Sequence, residues 1–181
     1  MAPPTREQRF EDLFRENYGA VRGYALRRAA PEAAQDVVAE TFLVAWRRLD
    51  DVPDDALPWL YGVARRVLAN QRRSATRGAA LERRLAGAEN GAESTLDPGE
   101  TAGETELVRQ ALGRLSDSSR EALLLVAWDG LSAARAARAA GCSRPTFAVR
   151  LHRARAQLAM ELAALESAPA PNLEQRSLEV G

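Results

Sequence analysis

Four arginines and the only histidine of the chain lie within residues 144–155, and their shared chemistry is the donation of hydrogen bonds. Phe147, Leu151 and Ala154 recur in this segment at helical spacing and mark the buried face of a helix. The donors must therefore point elsewhere: Arg144, Arg150, His152, Arg153 and Arg155. Because guanidinium groups match phosphates and the base edges of the major groove, the segment predicts a helix that reads duplex DNA.

The residues before this helix have the pattern of a helix-turn-helix. Ser132 is placed to cap a first helix, and Gly141 can adopt the positive φ of a tight stop. Ser143 is placed to cap the second helix, with Pro145 in its first turn, and the helix N-terminus there can hold a phosphate. Solvated arginine-rich helices share this charge pattern, so the segment alone favours DNA binding only modestly.

A second row of donors predicts another nucleic-acid surface, on a helix that follows the acidic loop 50–57. The row is spaced four, three and four residues apart and so shares one helical face: Arg66, Asn70, Arg73 and Arg77. Trp59 and Tyr61 stand at the start of this helix, where exposed rings can stack on unpaired bases. From spacing alone, a place for Trp59 in the core is the better interpretation.

The first predicted helix begins at a capping box formed by Thr5 and Gln8. Its apolar positions, which include Phe14 and Tyr18, fall on one face and predict a buried stripe. No stretch of useful length alternates with the period of two that β-strands require. The sequence therefore predicts an all-α fold.

The second predicted helix follows Pro31, which can occupy a first helical turn. Phe42 and Trp46 belong to its apolar face, and Asp36 and Glu40 lie on the opposite face. The helix thus offers an acidic surface in the same block as the second row of donors.

Charge divides the chain, although its formal net charge is zero. Residues 79–106 hold two arginines against seven acidic residues, and residues 107–165 hold nine against four. The first of these segments is also rich in glycine and predicts a flexible acidic linker. We expect two small helical domains, at 1–78 and 107–165, joined by that linker, with a disordered tail at 166–181.

Several functional classes are disfavoured by what the sequence lacks. Cys142 is the only cysteine, so neither an intrachain disulfide nor a cysteine-built zinc site is expected, and we expect no metal or other cofactor. His152 has no carboxylate, cysteine or serine partner at a telling spacing, so no catalytic residue and no enzyme is expected. Neither a membrane span nor a signal peptide is apparent, which predicts a cytoplasmic protein without membrane insertion.

Four stretches in a fixed order carry a family resemblance: QDVVAETFLVAWRRL, WLYGVARRVLANQRR, LSDSSREALLLVAWDGLS and GCSRPTFAVRLHRARAQL. They resemble the conserved blocks of extracytoplasmic-function sigma factors, the smallest class of the sigma-70 family. The resemblance covers nearly the whole chain apart from the linker and the last residues. It implies a factor that binds core RNA polymerase, directs it to promoters and assists promoter melting.

The resemblance also implies residue roles in the first domain. The helix that docks on the clamp helices of the largest polymerase subunit corresponds to Asp36, Glu40, Thr41, Phe42 and Trp46. The helix that opens and reads the minus-ten element corresponds to Trp59, Arg66, Asn70, Arg73 and Arg77. The loop 50–57 corresponds to the one that captures an extruded base.

In the second domain, the resemblance implies a reader of the minus-thirty-five element: Ser143, Arg144, Thr146, Arg150, His152, Arg153 and Arg155. The linker corresponds to the segment that threads toward the RNA exit channel. The implied partners are core polymerase, through its clamp helices and flap, promoter DNA, and an anti-sigma factor.

Some positions depart from the family pattern. Ala39 replaces a usual glutamine, Arg66 stands where asparagine is frequent, and the loop 50–57 lacks the usual glycine and aromatic residue. The first helix of the helix-turn-helix carries Arg135 and Arg138 without the common acidic pair, which predicts a stronger grip on phosphates.

Other classes of protein remain open on the residues. A response-regulator output domain or another helix-turn-helix repressor would explain the C-terminal block but not the aromatic and acidic N-terminal block. A helical adaptor that binds only protein, and more remotely an enzyme, are further alternatives.

Overall fold

The structure of the protein, a computed structural model, describes residues 3–86 and 104–167, with side chains described within 3–77 and 106–167. These residues are all-helical, as predicted, and form α1 (Arg6–Leu26), α2 (Pro31–Arg47), a 3-10 turn (Leu49–Asp51), α3 (Ala56–Ala86), α4 (Glu104–Arg114), α5 (Asp117–Ala127), α6 (Ala133–Ala140) and α7 (Arg144–Glu166). In this part of the chain no helix has the length and apolarity that crossing a membrane requires.

Helices α1 to α3 pack on one another and form the N-terminal domain. The predicted capping box is present: the Thr5 side chain accepts from the amide of Gln8, whose side chain accepts from the amide of Thr5. Pro31 occupies the first turn of α2, as predicted. The core between the three helices is apolar and includes Val21, Val37 and Leu60, each completely buried.

Helices α4 to α7 form the C-terminal domain. Ser116, Ser132 and Ser143 cap α5, α6 and α7, and each side-chain oxygen accepts from an amide three residues on. Gly141 ends α6 with a φ of 67°, which confirms the predicted left-handed stop. Phe147 is fully buried on the inner face of α7.

Helices extend into both ends of the predicted linker, residues 79–106. Helix α3 continues to Ala86, past the predicted domain end at residue 78, because alanine, leucine and arginine after Gly78 sustain a helix. Helix α4 starts at Glu104, within the predicted linker. The remaining linker residues, 87–103, and residues 168–181 of the predicted tail lie outside the described residues.

The two domains touch along α3 and α6 and share a continuous apolar cluster. The contact is close: an added Cβ on Gly62 of α3 would lie 3.6 Å from the carbonyl oxygen of Ala139 in α6. Helix α6 reads AARAARAA, and its small buried residues permit this approach. The donor-bearing helix of one domain therefore packs against the helix-turn-helix of the other.

Candidate nucleic-acid and polymerase interfaces

Most of the predicted donors of α7 lie on the surface. The exposed ones are Arg144, His152, Arg153 and Arg155. The opposite face of the helix holds Phe147, Leu151 and Ala154, all buried. The structure thus confirms the amphipathic pattern that predicted a recognition helix.

Arg150 differs from its neighbours on α7. Its side chain is only half-buried, and it lines a cleft of about 420 Å³ between the two domains, with Arg65 and Arg73 of α3. Arg150 therefore keeps its predicted place off the buried face of α7, but the N-terminal domain borders it and limits its exposure.

Two hydroxyl groups lie at the N-terminus of α7. The Oγ of Ser143 accepts from the amide of Thr146 at 3.3 Å, and the two side-chain oxygens lie 2.8 Å apart. Both residues are exposed. They therefore remain accessible to a phosphate at the helix N-terminus, where the helix dipole favours negative charge.

The row of donors on α3 is exposed along its whole length: Arg66, Asn70, Arg73 and Arg77. Within the row, a guanidinium nitrogen of Arg73 donates to the side-chain oxygen of Asn70. The inner side of the same helix holds buried residues such as Val63 and Val67. The structure thus brings the predicted minus-ten donors together on one face.

The two aromatic residues at the start of α3 have different environments. Trp59 is half-buried and packs against the apolar core, so part of its ring remains accessible. Tyr61 is 2% exposed and stacks on Tyr24 with ring centroids 4.5 Å apart. Burial raises the pKa of Tyr61 to about 12. The prediction of an exposed Tyr61 ring that stacks on bases is therefore wrong.

The acidic face of α2 is accessible at Asp36 and Glu40. Two of the residues predicted to dock with them are buried instead: Thr41 is 0% exposed and Phe42 is 4% exposed. The hydroxyl of Thr41 donates to the carbonyl of Val37 at 2.6 Å and is satisfied within its own helix. Direct contact of Thr41 and Phe42 with a partner is therefore a wrong prediction, because both support the face from beneath.

An exposed aromatic and aliphatic patch near this face departs from the sequence prediction. Phe14 and Tyr18 of α1 are 39% and 40% exposed, and Leu43 of α2 is 46% exposed. Phe14 rests on Phe42 with ring centroids 4.7 Å apart, so the buried stripe of α1 reaches the surface. The spacing of Leu43 from Glu40 could have shown that it shares the acidic face.

Trp46 lies at the C-terminal end of α2 and is half-buried. Its ring meets Phe10 edge-on at 5.2 Å between centroids, and the guanidinium of Arg6 lies 5.2 Å from its centroid. These contacts fix the ring at the C-terminal end of α2.

Ion pairs between the domains were not predicted by the sequence. Arg28, in the turn after α1, donates from Nε to Glu121 at 2.6 Å and from a terminal nitrogen to Asp129 at 2.9 Å. Arg27 also pairs with Asp129, and the hydroxyl of Tyr24 donates to Glu121 at 2.7 Å. Burial, reinforced by Glu121, raises the pKa of Tyr24 well above its usual value. Burial alone would lower the pKa of Arg28, but the neighbouring Tyr24, Glu121 and Asp129 outweigh it and raise that pKa.

A second set of interdomain ion pairs lies at the loop before α3. Asp55 accepts from Arg135 of α6 at 2.7 and 3.1 Å and also pairs with Arg138. The hydrogen bond from Arg135 is the main reason that the pKa of Asp55 lies below its usual value. The two arginines expected to grip phosphates are thus held, in this structure, by a residue of the predicted base-capture loop.

Two family models match the chain, one in each domain. The model described as Sigma-70 region 2 matches residues 13–78, and the one described as Sigma-70, region 4 matches residues 105–158. The matched regions contain the donor row of α3 and the helix-turn-helix, respectively.

Named relatives match across both domains. The chain is 38% identical over 152 residues to the RNA polymerase sigma factor NccH of Alcaligenes xylosoxydans xylosoxydans, covering 75% of this chain and 80% of that protein. It is 33% identical over 148 residues to the ECF RNA polymerase sigma factor SigL of Mycobacterium tuberculosis, covering 77% of this chain and 81% of that protein.

Solved structures show the same architecture. The sigma factor RpoE of Bartonella quintana, solved in complex with the anti-sigma factor NepR, matches with a TM-score of 0.65 at 25% identity, over 85% of this chain and 96% of that one. CnrH in complex with the cytosolic domain of CnrY matches with a TM-score of 0.60 at 28% identity, over 86% and 88%.

Proposed function

The chain belongs to the extracytoplasmic-function class of the sigma-70 family of RNA polymerase sigma factors, and from this membership we propose how its surfaces share the work of promoter-directed transcription initiation. Core polymerase docks on the acidic face of α2, α3 holds the opened minus-ten element, and α7 reads the minus-thirty-five element. The observation that carries this division is the exposure of three separate polar faces on three helices whose opposite faces are buried.

The docking face combines charge with an apolar patch. Asp36 and Glu40 are exposed on α2, Leu43 lies one turn further along the same face, and the rings of Phe14 and Tyr18 are partly exposed on α1. Apolar contacts near charged groups are a common composition for a specific protein interface. Trp46, at the C-terminal end of α2, contributes through its half-exposed ring.

The opening of the minus-ten element needs no catalytic group. A protein that binds unpaired bases better than paired ones shifts the duplex toward the open state by that difference in affinity. The exposed donors of α3 neutralise the backbone, and the accessible part of Trp59 stacks on a base. The loop that includes Asp55 receives an extruded base.

The minus-thirty-five element is read by α7 in the major groove. Arg153 and His152 are exposed in the middle of the helix and are directed at base edges, while Arg144 and Arg155 hold phosphates. Ser143 and Thr146 add hydroxyl groups at the helix N-terminus, and Arg150 becomes fully available when the N-terminal domain moves away.

The domain roles follow the same division. Residues 1–78 bind polymerase and the minus-ten element, 79–106 link the domains, 107–165 read the minus-thirty-five element, and 166–181 form a tail. The protein acts in the cytoplasm as a regulatory initiation factor without catalysis or cofactor.

We further propose an anti-sigma factor as a partner, since two structurally similar sigma factors were solved with such partners or with a partner's cytosolic domain.

The docking face can be tested by charge reversal. Asp36→Arg with Glu40→Arg should abolish binding to purified core polymerase without DNA, because the face becomes basic, while exposed charges contribute only about 0–1 kcal/mol to folding. The matched control is Asp12→Arg with Glu16→Arg, two exposed acidic residues with the same spacing on α1. Equal loss of binding in both double variants would remove the assignment to α2. Intact DNA binding by a wild-type protein that never binds core would favour the repressor alternative.

A further inference from the structure

We propose that the surface of α6 exchanges partners: Arg135 and Arg138 bind Asp55 in the free, closed protein and promoter phosphates in the open protein. The binding of these arginines to promoter phosphates rests on the proposed function, whereas the closed state of the free protein does not. The juxtaposition that carries it is one carboxylate of the N-terminal domain, in the loop before α3, held by two guanidinium groups of the helix-turn-helix.

The arginines of α6 are placed for either partner. Arg135 and Arg138 lie three apart on the polar side of α6, with side chains 38% and 55% exposed, and the Asp55 side chain is 37% exposed. The first helix of a helix-turn-helix crosses the DNA backbone, where two guanidinium groups would meet phosphates. A carboxylate and a phosphate offer the same kind of oxygen acceptors, so they compete for these donors.

A second set of ion pairs also joins the two domains. Arg28 is 4% exposed and Asp129 is 0% exposed at the side-chain level, and Glu121 is 18% exposed. Each pair joins the N-terminal domain to the C-terminal domain, so separation of the domains breaks both sets at once. Separation also returns each charged group to water rather than leaving it buried and alone.

This chemistry makes the closed state reversible. Exposed ion pairs contribute little in water and are screened by salt, and the attraction within buried pairs is largely offset by their desolvation. The apolar part of the contact consists largely of alanine side chains on α6, which bury little area each. A partner with modest preference for the open state therefore shifts the population.

The closed arrangement is incompatible with promoter binding as proposed. The centres of the two promoter elements lie about 25 base pairs apart, which is roughly 85 Å of B-DNA. A compact chain of this length has a radius of gyration of only about 16 Å. In the loop that would receive an extruded base, Asp55 is also held by two arginines of α6. The free protein must open before both domains can engage one promoter.

The closed state of the free protein is tested on the full chain without DNA or polymerase. Fluorescent dyes are attached at Gly19→Cys and Gly113→Cys in a Cys142→Ala background, because an added Cβ at either glycine meets nothing within 4 Å. Wild type should show high energy transfer at low salt and a decrease as salt is added. Asp55→Arg should lower the transfer, and so should Arg135→Asp with Arg138→Asp. The three substitutions combined should restore it.

Two variants that change no charge test whether the domains separate when the contact between them is disrupted by size alone. Gly62→Leu should open the protein, because the larger side chain would collide with α6 at the Ala139 carbonyl. Gly62→Ala should stay closed, since a Cβ at 3.6 Å from that oxygen is an ordinary contact. Asp12→Asn, which removes a carboxylate paired only within α1, should also leave the transfer unchanged. Equal transfer in wild type, Asp55→Arg and Gly62→Leu would overturn the closed state.

The binding of α6 to promoter phosphates is tested by measuring affinity for a duplex that carries the minus-thirty-five element. If the closed form holds about nine-tenths of the population, Gly62→Leu should bind about tenfold more tightly than Gly62→Ala. Adding Arg135→Ala and Arg138→Ala to Gly62→Leu should reduce the slope of log affinity against log salt by about 2. An unchanged slope would show that these arginines do not bind phosphates and would overturn the exchange. Failure of the wild type to bind core polymerase would contradict the proposed function and leave the energy-transfer result standing.

Discussion

The described arginine side chains lie in distinct environments, and the environment decides what each can do. Arg120 is 8% exposed, and its guanidinium donates to the carbonyls of Leu112 and Leu115, at 2.8 and 3.2 Å, at the end of α4. It therefore satisfies helix-end carbonyls and is not available to DNA. Arg28 is buried in ion pairs, whereas Arg66 and Arg153 are exposed and free to meet a nucleic acid.

At the residue scale, the minus-ten assignment predicts a defect in opening that is separate from binding. Trp59→Ala and Arg66→Ala holoenzymes should bind duplex promoter but form fewer open complexes, since loss of one stacked base costs roughly 1–3 kcal/mol. Permanganate footprinting measures the open fraction, and a pre-melted bubble template should rescue both variants. Footprints equal to wild type would refute the assignment, and unfolding of Trp59→Ala in a thermal melt would show that its packing in the core dominates.

The recognition helix predicts two kinds of arginine. Arg153→Ala should weaken binding to the minus-thirty-five element by about 1–3 kcal/mol and relax base preference there, if it makes a bidentate base contact. Arg144→Ala should weaken all sequences alike and reduce the salt dependence of binding. Competition binding against single-base variants of the element distinguishes them. If Arg153→Ala weakens binding equally for all single-base variants, Arg153 contacts a phosphate and not a base.

At the scale of elements, the sequence predicted what is encoded locally. The caps at Thr5, Ser132 and Ser143 and the stop at Gly141 were all predictable, because each depends on a few adjacent residues. Burial of Tyr61 was not, because its place on Tyr24 depends on how α3 packs against α1. Single-helix periodicity gives a face but not the neighbour that covers it.

The stop of α6 carries an element-scale prediction. Gly141→Ala should lower the free energy of unfolding by about 1–2 kcal/mol, because an L side chain is disfavoured in the left-handed region. Gly113→Ala is the control: it replaces a helical glycine with open space around its Cβ and should raise stability by roughly 0.5–1 kcal/mol. Urea unfolding curves measure both. Equal shifts of the same sign would contradict the role of the positive φ.

At the scale of the whole molecule, the sequence predicted two helical domains but not their contact. The pairs Tyr24–Glu121 and Arg28–Asp129 join residues 97 and 101 positions apart, and no local pattern marks them. The uneven distribution of charge along the chain predicted only the linker, whose residues 87–103 lie outside the described part. Exposed helical faces of the site were predictable, but the burial of Thr41 was not, because it depends on packing beyond its own helix.

As a sigma factor, this chain confers promoter-directed initiation on core RNA polymerase. Run-off transcription with purified core polymerase on a library of genomic promoters measures this directly. Addition of the protein should produce transcripts from a discrete set of templates that share two sequence elements at a fixed spacing, and Asp36→Arg with Glu40→Arg should abolish them. Transcripts that are absent, or that arise equally from all templates with and without the protein, would show that the protein does not direct polymerase to promoters.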